Sequence, residues 1–446
     1  MKQLRYIVAF IVGSAIATAC VDEFNVGDSF LEKAPGVDVN ADSVFSKAEY
    51  TRNFLWSAYG QLYSTYKKGN MMNGTSIDAL SDSYYCYCTW GGPYQTYYTG
   101  LFTEDSQDNP NGNYQGKFAY KTGNPDGDGR VSVYDCIRKC WLIIDNIDQL
   151  PESEMSESER NRIKGEAFTI MASRYFDAFR NFGGLCLVRK AYAVGEGFDS
   201  GRSTAYETVE FIDSLLQCAI KYENDFPWNI DDSNVGQWSG RLTRASAYAL
   251  RCKLWMHAAS PLFNNDQPYM QYESGKETEY TDIHHVWFGK KDPSLWNRCL
   301  QACQDFFNSN GSDKCGPEQQ GAYYLVWPES NDEAGYRKAY RKAYHDRASK
   351  SNHEKFFDAQ PQYKVTEWGW SGFEMDCTRQ GGMVPTNELM EMFGMADGTN
   401  YPYADADIYG PGKNPTGIDI FEDRDPRLYE TVVVPRRVCN QIEDYK

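Results

Sequence analysis

The side chains best equipped for chemistry in this chain are aromatic. Trp, Tyr and Phe number 11, 33 and 23, and together make 15% of its 446 residues. Segment 82–120 carries Tyr84, Tyr85, Tyr87, Trp90, Tyr94, Tyr97, Tyr98 and Tyr114, interleaved with Gln95, Asn111, Asn113 and Gln115. Flat ring faces stack on the apolar C–H face of a sugar ring, and amides and carboxylates meet its hydroxyls. A second group lies further on, with Trp287, Tyr323, Tyr324, Trp327, Trp368 and Trp370. Trp90, Trp368 and Trp370 neighbour glycines, which leaves their rings accessible. The competing role for any one ring is packing, and Trp141 and Trp255, on helical faces, read as core.

A second constellation is acidic. In 124–135, oxygen-bearing residues fall at positions 1, 3, 5, 9 and 12 of a calcium loop: Asn124, Asp126, Asp128, Ser132 and Asp135. Gly129 stands at position 6, but Asp135 is shorter than the bidentate Glu usual at 12. The same residues also read as a Gly/Asp turn capping a helix that starts near Ser132. Structural calcium on Asn124, Asp126, Asp128 and Asp135 is therefore one of two readings, and no other cofactor is implied.

Catalytic patterns are missing. The five histidines (His257, His284, His285, His345 and His353) have no zinc-protease spacing. No nucleophile elbow, Walker loop or dinucleotide fingerprint occurs. Carboxylates are plentiful, but a glycosidase pair is defined by a separation of roughly 5–10 Å, which sequence does not reveal. Asp423, Arg424, Asp425 and Arg427 read as a structural ion-pair turn before a strand at 431–434.

The net charge of −17 argues against nucleic-acid binding, which needs a positive footprint. Lys2 and Arg5, the apolar run Tyr6–Ile16 and small residues 17–19 precede Cys20. That is an export signal, with Cys20 placed for cleavage and acylation by palmitate-like chains. The alternative is an ordinary signal peptide cut near a cysteine. No later apolar stretch is long enough to span a bilayer. The remaining cysteines show no disulfide framework and no zinc spacing. Most read as buried thiols, with Cys136/Cys140 and Cys299/Cys303 at helical i,i+4 spacing.

These side chains need a scaffold. Periodicity predicts helices at about 46–66, 132–150, 163–182, 206–223 and 242–263, with shorter ones at 294–308 and 386–393. Residues 69–130 show no long helical period, and so long a loop usually carries function. Paired helices suggest a degenerate helical-repeat scaffold of the α-solenoid kind.

Five blocks, in order, resemble the SusD/RagB outer-membrane nutrient-binding lipoproteins of Bacteroidetes. They are Cys20 with 30–35 and 42–45; YDCIRKCWLIIDNIDQLP at 134–151; GEAFTIMASRYFDAFRNFGGLCLV at 165–188; GRLTRASAYALRCKLWMHAASPLFN at 240–264; and VPTNELMEMFGMADG at 384–398 with FEDRDPRLYETVVV at 421–434. Trp141, Met171 and Cys186 depart from the family's usual Asn, Arg and Pro at helix-packing positions. The resemblance implies a mostly α fold of degenerate tetratricopeptide-like repeats plus an irregular, loop-rich subdomain. It implies a signal peptide at 1–19, a helical-repeat region at 20–265 with a ligand loop at about 69–130, and a loop-rich region at 266–446. By family position ligand aromatics fall in that loop and after 264, which makes Trp90, Tyr94, Tyr97, Asn113, Trp287, Trp327, Trp368 and Trp370 the ligand-contact candidates. It also implies a final helical section, part of the family fold, beyond Lys446.

The function implied is non-enzymatic capture of oligosaccharide or another nutrient at the outer cell surface. Delivery would go to a SusC-like TonB-dependent transporter, with lipid on Cys20 as the membrane anchor. A surface glycan-active enzyme and a ligand-free transporter lid are the alternatives.

Overall fold

The computed structural model describes residues 44–62, 81–86, 98, 133–193, 195–198, 201–231, 233–234, 238–271, 282–312, 318, 321–345, 352–357, 383–402 and 419–432. In chain order the elements are α1 (Ala48–Tyr59), β1 (Tyr84–Cys86), α2 (Val133–Asn146), α3 (Glu157–Phe182), α4 (Ala205–Ile220) and α5 (Arg244–Ala259). There follow α6 (Ser294–Asn310), α7 (Glu333–His345), β2 (Met383–Pro385), α8 (Asn387–Met392) and α9 (Pro426–Thr431). Short 3₁₀ turns occupy Ile147–Gln149 and Ile283–His285.

The helix starts are written in side chains. Ser156 accepts from the Glu159 amide at the head of α3. Thr204 with Glu207, and Thr243 with Ser246, form reciprocal caps on α4 and α5. Helix α3 stops at Gly183, whose φ of 71° suits glycine. A Cβ on Gly183 would lie 2.1 Å from the His285 carbonyl oxygen, and one on Gly184 2.0 Å from that of Ser203. The two glycines thus end the helix and let two other segments pass against it.

Each helix from α1 to α6 packs on the next, and α3 also touches α1 and α5. The fold is a mostly helical array, as the repeat-like pairing predicted. Ile137, Ile143, Ile163, Ile170, Tyr175, Phe179 and Trp255 lie fully buried along it. The three departures serve packing: Met171 is fully buried, Trp141 packs edge-on against Phe168, and the Cys186 amide and carbonyl meet the Tyr134 hydroxyl. Cys136, Cys140 and Cys299 are buried free thiols; Cys186, Cys218, Cys252 and Cys303 are half-buried and also free. Leu295, Cys299 and Ala302 of α6 join the same core. The helical array therefore continues past residue 265, the boundary expected from sequence.

One buried carboxylate ties the array together. Glu166 in α3 is inaccessible to solvent. It accepts from Arg162 Nε at 3.1 Å, from Arg241 Nη2 at 2.5 Å and Nε at 3.2 Å, and from the Tyr59 hydroxyl at 2.7 Å. That hydroxyl accepts in turn from the Leu242 amide at 2.8 Å. Arg241 lies between two indoles, 5.1 Å from Trp56 and 4.3 Å from Trp238. A bidentate Arg52–Glu159 pair adds a second, more exposed tie from α1 to α3.

Two sequence expectations are overturned, α3 starts at Glu157 rather than near 163, and one helix was not expected. The first helix ends at Tyr59 rather than near 66, in a turn at Gly60, and residues 63–66 lie outside the described set. The strand predicted from Thr431 is overturned there: Asp425 caps α9 with Pro426 in its first turn, and Thr431 is the last helical residue. Helix α7 went unpredicted because its sequence, EAGYRKAYRKAYH, is almost all polar and aromatic. Salt bridges hold it, since Arg337 and Arg341 both reach the buried Glu430 of α9.

Removing the acceptor of the central network should be severe. Glu166→Ala strands two guanidinium groups and is expected to lower unfolding free energy by about 3–5 kcal/mol. Arg52→Ala, at a partly exposed pair, should cost about 1 kcal/mol or less. Urea unfolding followed by circular dichroism measures both; equal effects would contradict the assignment.

Candidate ligand-binding surface

The first aromatic group is set by a two-stranded antiparallel ladder. Tyr84, Tyr85 and Cys86 pair with Pro385, Val384 and Met383. Thr386 fastens the end of the ladder: its amide donates to the Ser83 carbonyl at 3.1 Å and its hydroxyl to that of Asp82. The same hydroxyl accepts from the Leu389 amide and caps α8. Tyr85 is 41% exposed and lies nearly parallel to Tyr98, with centroids 5.2 Å apart and planes at 7°. Each ring covers one face of the other, leaving a broad apolar plate edged by phenol hydroxyls.

The second group lies on 321–345. Asn310, at the end of α6, positions its start: the side chain donates to the Tyr323 carbonyl at 2.7 Å and accepts from its amide at 3.0 Å. The Trp228 indole donates to the same Asn310 oxygen at 3.2 Å. Trp327, 42% exposed, meets Tyr336 edge-on at 6.5 Å, and the Tyr336 hydroxyl donates to Asn331. Tyr324 stacks on His353 at 4.3 Å. Exposed Tyr344 leans on Tyr340, which bonds Thr431 of α9. Helix α7 therefore carries a row of accessible rings, with Asn331 close by as a polar partner.

The sequence candidates divide accordingly. Trp327 stands on an open surface. Trp287 is engaged: its indole donates to the Asn265 carbonyl at 2.7 Å and its ring stacks on His284. Tyr323 packs among Trp228 and Phe356 and bonds Thr243, and burial raises its pKa. Trp255 is core and donates to Asp213; Trp141 is half-buried against the core and donates to the Val188 carbonyl. Trp90, Tyr94, Tyr97, Asn113, Trp368 and Trp370 lie outside the described residues, as do Cys20, Asn124, Asp126 and Asp128. Asp135 sits in the first turn of α2, where it accepts from Gln61 at 2.9 Å and pairs with Lys139 at 3.2 Å. Tyr336, Tyr344 and Asn310 were missed. The Asn310-Gly311 helix end was the available signal for the last, because Gly311 takes the left-handed conformation.

Arg424 was read as part of an ion-pair turn. It is instead buried and donates to the carbonyls of Ile420, Phe393, Gly394 and Met390, with its guanidinium 4.2 Å over Tyr401. The ion pair of the turn is Asp425 with Arg427. Among the described residues, no three His, Cys, Asp or Glu side chains gather as a metal site. His257 packs edge-on to Phe176, Phe179 and Phe263, where burial and the charges of Arg180 and Lys253 push its pKa down to about 4.

No family model and no curated relative matches the chain. Solved structures do. A SusD-like protein from Bacteroides fragilis NCTC 9343 matches with a TM-score of 0.57 at 19% identity, over 89% of this chain and 62% of its own. A SusD-like carbohydrate binding protein from the same organism matches with a TM-score of 0.51 at 16% identity, over 86% of this chain and 59% of its own. The chain has the SusD-like fold and spans less than two thirds of the length of these two structures.

The His257 environment has a pH signature. Its folded pKa lies below the unfolded value of about 6.5, so the unfolded chain takes up the proton first as pH falls. Stability at this site is whole above about pH 6.5 and declines toward about pH 4, by about 1–2 kcal/mol after allowance for partial exposure. His257→Gln should flatten that part of the profile. Parallel wild-type and variant profiles in denaturant titrations would refute it.

Proposed function

We propose that this chain is a non-enzymatic glycan-binding lipoprotein of the SusD/RagB family. It is anchored through lipid on Cys20 at the outer cell surface and hands oligosaccharide to a SusC-like TonB-dependent transporter. The observation that carries the reading is the pair of exposed aromatic surfaces, Tyr85 with Tyr98 and Trp327 with Tyr336, on a SusD-like fold. Rings held in place before binding offer sugar C–H faces a site with little ordering cost. Support also comes from a fold neighbour described as a carbohydrate binding protein. The anchor and the transporter rest on the export signal and on the sequence blocks shared with the family.

Calorimetry of the purified chain against a panel of oligosaccharides tests the proposal. Tyr85→Ala and Trp327→Ala should each weaken binding about five- to thirtyfold, the value of one stacked ring, without changing the fold. Binding unchanged in both variants, or product formation at enzyme-like rates, would overturn it. Cys20→Ser should release the chain from the membrane fraction.

A further inference from the structure

A cluster of charge where α3 faces α5 plays no part in aromatic stacking. Asp177 is almost wholly buried. Arg180 Nη2 donates to it at 2.7 Å, and Arg174 Nη1 lies 3.7 Å away. Lys253 lies one turn before His257 in α5, and the His257 ring packs on Phe176 and Phe179 of α3, which puts Lys253 on the side of α5 that faces Asp177 and Arg180. Three cations thus face one carboxylate, and the neighbouring His257 adds no negative charge.

The hydrogen bonding is unfinished as well. The Arg174 side chain is 3% exposed, yet its Nε–H has no partner. The Nε–H of Arg180 and Nε2 of His257 are also buried without one. Lys253 forms no ion pair among the described residues. Arg174 shares its counter-charge, Asp177, with Arg180, and at 3.7 Å it pairs with it without a hydrogen bond. The helix dipole explains Arg180, in the last turn of α3, but Arg174 lies two turns from that end, where the field has faded. Solvent reaches the cluster, since Lys253 is exposed, Arg180 partly so, and Met256 on the next turn of α5 is 54% exposed. Phe176, with the Arg180 guanidinium 5.1 Å over its ring, supplies an apolar floor.

We propose that Arg180 and Lys253, backed by the buried charge of Arg174, form a binding site for a small oxyanion, a carboxylate above all, carried by an acidic sugar or free in solution. Guanidinium forks match the two oxygens of such a group, and the lysine adds a compact third charge. The site belongs to different elements from the Tyr85 and Trp327 surfaces and stands whether or not those bind glycan.

Calorimetry on the full chain at fixed ionic strength, with glucuronate, sulfate and glucose as probes, tests this. At least one of the two anions should bind and glucose should not compete. Lys253→Gln and Arg180→Gln should each weaken the anion about tenfold, while Arg427→Gln, outside the cluster, should not. Arg174→Lys probes the buried position while keeping a charge for folding. Glucuronate bound well above sulfate identifies an acidic sugar as the source, and equal binding a free oxyanion. Absence of binding by both anions, or affinity unmoved in Lys253→Gln and Arg180→Gln, would overturn the proposal.

Discussion

A carboxylate sealed from water can stay charged only if cations and donors surround it, and that requirement at Glu166 organises the helical half of this chain. Arg162 comes from the same helix one turn earlier. Tyr59 comes from α1, and Arg241 from the segment that leads into α5. Satisfying Glu166 therefore fixes where α1 ends, how it lies on α3 and where α5 must begin. The indoles of Trp56 and Trp238 close over Arg241 and keep water from competing for it. Asp213 repeats the device among the later helices. It accepts from Gln217, Arg251 and Trp255, and Arg251 passes the link on to Asp305 of α6.

Most of this scaffold was legible in the sequence, because helix boundaries are local physics. The apolar period of α2 and the stop at Gly183 are each set by residues a few positions apart; the caps at Ser156, Thr204 and Thr243 are just as local, though the apolar period alone does not point to them. Helix α7 was not legible. Its charged anchor, Glu430, lies some ninety residues away, so the contact that holds it cannot be read from either segment alone. Thr431 failed for a related reason. A β-branched run reads as strand, but Asp425 and Pro426 nucleate a helix just before it.

The site was legible as composition rather than as position. Trp327 was marked by residue type and loop surroundings and is open, whereas Tyr85, equally open, stood only among the aromatics of 82–120 and not among the ligand-contact candidates. Trp287 carries the same marks, but its indole hydrogen is used by the Asn265 carbonyl, a bond that depends on how 287–288 lies against 263–265. Exposure is decided by tertiary neighbours, and a single sequence does not list them. The cationic cluster around Asp177 went unnoticed because its members fall on two helices and look like ordinary surface charges one at a time.

The ladder beneath Tyr85 has a consequence for the order of folding. It joins strands about 300 positions apart in the chain. Local helices can form as soon as their residues exist, whereas so distant a pairing bears the full entropy of closing the intervening chain. The tyrosine plate is therefore assembled late, after the helical array has shortened the distance between its two ends. A chain interrupted before residue 383 could build the array and still lack the strand that holds this plate.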